Sequence, residues 1–150
     1  MLRASAAGRI RADRSGGRVS DARIQELVEA ARAVQGTFEL TKAEFTVASV
    51  GAAVRSVSGA VFTGVSIHLA CGVGFCAEHA ALAEMVKHRQ VEIETIVSVN
   101  AARVIPPCGR CRELMAQLSF KNADARIVLP GMRVRPLREL LPDHWLHSLD

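Results

Sequence analysis

The chain has 150 residues, enough for one domain of ordinary size and too few for two. Its residues are 49% hydrophobic and 23% charged, a balance that supports a buried core without disulfide staples and excludes a disordered chain. The net charge of +4 belongs to the first 20 residues, which hold Arg3, Arg9, Arg11, Arg14 and Arg18 against Asp13 alone. The remaining residues carry 14 basic and 14 acidic side chains, so the body offers no basic face for a nucleic-acid polymer.

Residues 1–19 are Arg-rich, poor in acids and lack the apolar core of a secretory signal, so they read as a disordered basic tail, with the folded domain spanning 20–150. The stretch from Ala60 to Ala77 is apolar but broken by Thr63, Ser66, His68 and glycines, so it reads as a strand and a loop and not as a membrane span. The expected location is cytoplasmic. There the four cysteines, Cys71, Cys76, Cys108 and Cys111, point to metal binding or catalysis rather than to disulfides.

A first helix is predicted from Ser20, a good N-cap, to about Gln35, with Ile24, Leu27, Val28, Ala31 and Val34 on one face and Gly36 as its stop. Phe45–Val57 and Ala60–Leu69 read as two strands of a hairpin joined at Ser58-Gly59. A short glycine-containing loop over 71–74 precedes a helix from Ala77 to about His88, with Ala80, Leu82, Ala83, Met85 and Val86 as its apolar surface. Ile93–Val104 is a strand ended by Pro106-Pro107, and Gly109 to about Leu118 a helix with Leu114, Met115 and Leu118 inward. Arg126–Leu129 is a short strand and Leu137–Leu141 a short terminal helix. Alternating helices and strands after a hairpin predict a mixed sheet between helical layers.

One constellation carries chemistry. Cys76-Ala77-Glu78 opens one predicted helix, and Pro107-Cys108-Gly109-Arg110-Cys111 opens another. Three thiolates suit Zn²⁺, which takes four tetrahedral ligands, and they leave one position for water. Helix N-termini stabilise anionic sulfur through free N–H groups and the macrodipole. Glu78, two residues past the first ligand, can lean over the open position and carry protons. A Cys-x-Glu followed by Pro-Cys-x-x-Cys is a signature of zinc deaminases acting on nucleobases.

At these residues the chain resembles the cytidine deaminase family, of the small homotetrameric type with three cysteine ligands, near its blasticidin S deaminase branch. The resemblance runs from about Val47 to Trp145 and takes in Val50-Gly51-Ala52-Ala53, Phe62-Thr63-Gly64-Val65 and Leu140-Leu141-Pro142. It implies a three-layer α/β/α sandwich around a five-stranded mixed sheet and hydrolytic replacement of an exocyclic amine. It also implies zinc held by Cys76, Cys108 and Cys111, with Glu78 as the proton shuttle. Ser66, His68, Ala77 and Trp145 are the expected substrate contacts. Trp145 stands where the family has an aromatic ring that closes a neighbouring subunit's pocket, which makes a homotetramer the expected assembly.

Two departures bear on specificity. The family's Asn-x-Glu after the second strand's Thr-Gly-Val, which holds ribose, is here Ser66 and His68, so the carboxylate contact is replaced by a hydroxyl and an imidazole. The family's arginine after Cys-Ala-Glu is His79, either a softener of the thiolate charge or a bystander. Cys71 is expected as a buried free thiol, and Phe45 and Phe62 as core.

The leading expectation is a hydrolytic deaminase of a cytosine-type nucleoside. The alternative is a deaminase of a modified or antibiotic nucleoside such as blasticidin S, or of another amino-substituted heterocycle. A non-catalytic structural zinc domain is the reading from a different class; it normally closes its fourth position with a protein ligand and has no use for Glu78. Low aromatic content, 4%, and the neutral body argue against a polynucleotide substrate.

Overall fold

A computed structural model describes residues 22–148; the predicted N-cap Ser20 and the basic tail lie outside them. Helix α1 spans Ala22–Val34. It is followed by β1 (Phe38–Glu39), β2 (Thr46–Ser56), β3 (Val61–His68), α2 (Ala77–Lys87), β4 (Ile93–Asn100) and β5 (Val104–Ile105). The chain continues with α3 (Gly109–Leu118), β6 (Arg126–Leu129), β7 (Arg133–Pro136) and α4 (Leu137–Leu140).

All seven strands form one sheet. β3, β2, β4, β6 and β7 lie side by side, β1 adds to the start of β2, and β5 adds to β4. Only β4 and β6 run parallel, joined through α3 as a crossover connection requires. The sheet is mixed as expected but has seven strands instead of five. The two-residue β1 and β5 are too short to leave an alternation, and β7 is an arginine-rich edge strand, Arg133-Val134-Arg135-Pro136, with no apolar run to reveal it.

Period-two alternation sends side chains to both faces. Ala52, Val54, Ile96 and Ile127 face α2 and α3, whereas Ala53, Val97, Val99 and Val128 face α1. Ile24, Leu27, Val28 and Ala31 of α1 are buried on the second face, as their spacing predicts. The three layers are therefore α1, the sheet, and the α2/α3 pair.

On α2 the buried residues are Ala77, Glu78, Ala81, Leu82 and Met85. The predicted surface is rotated: Ala80 is half-buried, and Ala83 and Val86 are exposed. These three line an apolar groove with Leu114 and Leu118 of α3, which are half-buried and pack against the core. An alanine-rich helix offers apolar residues on every side, so periodicity alone selects the wrong stripe. Gly64 of β3 decides the matter, because any Cβ there would overlap the backbone of Ala77 and Ala81. The first turn of α2 thus lies directly on β3.

Asn122 is fully buried and joins three elements. Its side-chain oxygen accepts the Ile93 N–H at 2.8 Å, and its amide donates to Val91 O and Met115 O at 2.9 Å each. Phe62 is core, as predicted, with His88 stacked 5.3 Å away.

Candidate metal centre and substrate cavity

Cys76 and Cys108 are the N-cap residues of α2 and α3, both with extended backbone and neither side chain capping its helix. Their sulfurs are therefore free, at helix ends whose first N–H groups lack intrahelical partners. Cys111 follows on the first turn of α3 and is fully buried. The Sγ atoms of Cys76 and Cys108 are 3.7 Å apart, and those of Cys108 and Cys111 3.4 Å. Sulfurs held by one tetrahedral zinc at 2.3 Å stand about 3.8 Å from each other. The three thiols have the spacing of a single-ion site.

Their protonation points the same way. Burial pushes up the Cys111 thiol, with the charge of Glu78 adding to it. Burial likewise raises Cys76, helped by its hydrogen bond with Cys108. Burial also acts against Cys108, but the backbone N–H of Cys111 and the two neighbouring thiols hold it below the usual thiol value. Adjacent thiolates repel one another, and a divalent ion removes that repulsion.

His79 joins the cluster. Its Nδ1 is 3.4 Å from Cys111 Sγ, and the donor atoms of Cys76, His79 and Cys111 all lie within 4.8 Å of one another. Burial and the nearby Arg110 hold the imidazole below its ordinary value. Sequence reading singled out His79 only as the replacement of an arginine, because its reach to Cys111 depends on how α2 and α3 pack.

The Pro107–Cys108 turn is secured by Arg112, whose guanidinium donates to Pro107 O at 2.9 Å and Leu140 O at 3.0 Å. This residue braces its own chain.

Beside the sulfurs opens a cavity of about 620 Å³, the size of a small-ligand site. Cys76, Ala77, Glu78 and Cys108 form its base. Glu78 is 4% exposed and, among the described residues, its carboxylate has no hydrogen-bond partner. Ser66 and His68 line the wall. Phe45 lines it too and is half-buried, where sequence reading expected core. Arg110 of the second cysteine motif lines it as well, and Glu44, Phe75, Ile105 and Pro106 are lining residues that no motif announced.

Trp145 does not line its own chain's cavity. It is 51% exposed, and its Nε1 donates to Glu113 Oε1 at 2.6 Å. Cys71, expected buried, is exposed in a turn with φ 56°.

A family model for the cytidine and deoxycytidylate deaminase zinc-binding region matches residues 21–125. The chain belongs to this family. It is a zinc-dependent deaminase, and both zinc and hydrolytic deamination come with that membership and fit the cysteine cluster above. The chain is 34% identical over 104 residues to a blasticidin-S deaminase of Bacillus cereus, covering 62% of this chain and 74% of that protein. It is 35% identical over 86 residues to a cytidine deaminase of Halalkalibacterium halodurans, covering 56% of this chain and 64% of that protein.

Among solved structures, the cytidine deaminase of Burkholderia pseudomallei superposes with a TM-score of 0.64 at 31% identity, covering 79% of this chain and 96% of that one. The cytidine deaminase of Mycobacterium tuberculosis gives 0.68 at 26% identity, over 80% and 94%. The fold expectation holds in class, with the strand count corrected. No helix among the described residues is long and apolar enough to cross a membrane.

Proposed function

We propose that this deaminase acts on a cytosine-type nucleoside, replacing the exocyclic amine with oxygen and releasing ammonia. The observation that carries the reading is the buried, unpartnered Glu78 on the floor of a nucleoside-sized cavity, between Cys76 and Cys108. Cys76, Cys108 and Cys111 are the residues that would hold zinc. When bound there, zinc supplies a Lewis acid that makes water nucleophilic near neutral pH.

The remaining work belongs to the chain. Glu78 takes one proton of the attacking water to the ring nitrogen, and then carries the second, from the hydroxyl formed on the ring carbon, to the departing amine. Ser66, His68 and Ala77 orient the substrate from the wall and floor.

A structural zinc domain would leave Glu78 and the cavity without purpose. The blasticidin S alternative draws support from the Bacillus cereus relative, which bears that name and aligns over 104 residues. The deciding experiment is ammonia release by the purified zinc protein on cytidine, deoxycytidine, blasticidin S and aminated purines. Turnover of a cytosine nucleoside is expected, and turnover of aminated purines alone would refute the reading.

The folded unit is proposed to span residues 20–150 and to assemble as a homotetramer in the cytoplasm. The apolar α2/α3 groove and the exposed Trp145 are the surfaces that support assembly.

A further inference from the structure

The cavity carries a charged group that the chemistry above does not use. Glu44 lines it, and among the described residues its carboxylate has no hydrogen-bond or ion-pair partner. The residue is exposed, in the turn that joins β1 to β2. Backbone bonds hold that turn: the Phe45 N–H donates to Lys42 O at 2.9 Å and the Leu40 N–H to Phe45 O at 2.8 Å, while Glu39 pairs with Thr46. The backbone that presents the carboxylate is therefore fixed.

Strand β2 orders the lining residues along the cavity. At the inner end Val50 lines it next to Gly51, and the pairing of Ala52 with Gly64 sets this part of the sheet against the first turn of α2. A bulge over residues 48–50, with Ala48 at φ 57°, then bends the strand. In the middle of the wall stand Ser66 and His68, tied to Ser49 by contacts of 3.2 and 2.8 Å. Thr46 opposes His68, the last residue of β3, and Phe45 and Glu44 follow beyond that end. A nucleoside with its base at the metal donors thus directs whatever its sugar carries toward Phe45 and Glu44.

A half-buried aromatic ring next to an unpaired carboxylate suits an organic cation, whose stem or guanidinium plane lies on the ring while its charge meets the carboxylate. The other charged side chains of the lining, Glu78 and Arg110, belong to the helix starts at the metal end. We propose that Glu44 is a specificity-determining residue that selects cytosine nucleosides whose sugar bears an ammonium or guanidinium group. This rests on the nucleoside reading given above and names a class within it. A neutral substituent gains little from the carboxylate, and an anionic one is repelled by it.

The test is steady-state kinetics of the zinc-loaded protein on five compounds of graded charge. These are cytidine, its 3′-amino-3′-deoxy and 5′-amino-5′-deoxy derivatives, blasticidin S, whose side chain ends in a guanidinium, and cytidine 5′-monophosphate. Glu44→Gln removes the charge from an exposed turn without touching the core. It should raise KM about threefold to fivefold for at least one cationic substrate, the range of an exposed ion pair, with kcat nearly unchanged and cytidine unaffected. Added salt should raise KM for that substrate in the unaltered protein and not in Glu44→Gln. Glu44→Lys should raise it further and lower KM for the monophosphate.

An equal change in KM for cytidine and the cationic substrates, or no change for any of them, overturns the proposal and leaves the substrate reading in place. Turnover of cytidine with no cationic form accepted does the same. No turnover of any cytosine compound overturns the substrate reading and the proposal with it.

Discussion

His79 Nδ1 meets Cys111 Sγ at 3.4 Å, an imidazole from the first turn of α2 against a buried thiol from the first turn of α3. With Cys111 as a zinc-bound thiolate, a His79 ring protonated at Nδ1 would donate to the sulfur, orienting it and drawing off charge. His79→Ala should then keep one zinc per chain but weaken its affinity about 10- to 100-fold. Cys108→Ala should abolish stoichiometric binding. Elemental analysis after dialysis against a graded chelator checks both. The opposite pattern would make Cys76, His79 and Cys111 the metal donors.

Glu78→Gln should preserve fold and zinc but lose turnover by at least about 10²- to 10⁴-fold, because an amide cannot carry protons. The readout is ammonia release per zinc-loaded chain. Near-normal activity would assign proton transfer to another group.

Zinc binding should release protons. Cys76 and Cys111 are raised above the ordinary thiol value by burial in the metal-free chain, so at neutral pH both bind zinc only by losing a proton. Calorimetry in buffers of different ionisation enthalpy should give at least about two protons per zinc. The sign follows: affinity falls as pH falls, and acid strips the metal. A pH-independent affinity would exclude thiolate ligation.

Trp145 tests assembly. Glu113 accepts from Trp145 Nε1 at 2.6 Å and lies 2.7 Å from His144 Nε2, which holds the exposed indole against α3 outside its own cavity. If the ring closes a neighbour's site, Trp145→Ala should raise KM about fivefold or more, from a stacking contribution of about 1–3 kcal/mol, without loss of zinc. Light scattering should show a tetramer for the unaltered chain. A fully active monomer would exclude the arrangement.

Asn122→Ala removes three hydrogen bonds at a fully buried position and leaves the Ile93 N–H and two carbonyls unmatched. A loss of about 2–4 kcal/mol in unfolding free energy is expected, seen as a lower denaturant midpoint at unchanged slope. Specific activity of the molecules that remain folded should not change, because Asn122 does not line the cavity.

Much of the centre was legible because it is written locally. Cys76 and Cys108 head their helices, and a C-x-x-C at a helix start brings two sulfurs together whatever the surrounding fold. The paired motif then identified the family and its three-layer architecture. Ile24, Leu27, Val28 and Ala31 marked α1 by spacing alone, and Ser58-Gly59 marked the hairpin turn.

What only the tertiary structure decided depends on how separate segments register. The β2 bulge has no signature in Ala48-Ser49-Val50, yet it turns Ser49 toward His68. Glu44 and Phe45 reach the cavity only because β2 runs alongside the end of β3, with Thr46 opposite His68. The buried face of α2 was set by the close approach of Gly64 and not by the helix's own apolar residues. Asn122 bonds three elements brought together only by folding. Helix starts and alternation are properties of a few neighbouring residues, whereas strand register, helix rotation and buried polar partners are set by contacts across the chain.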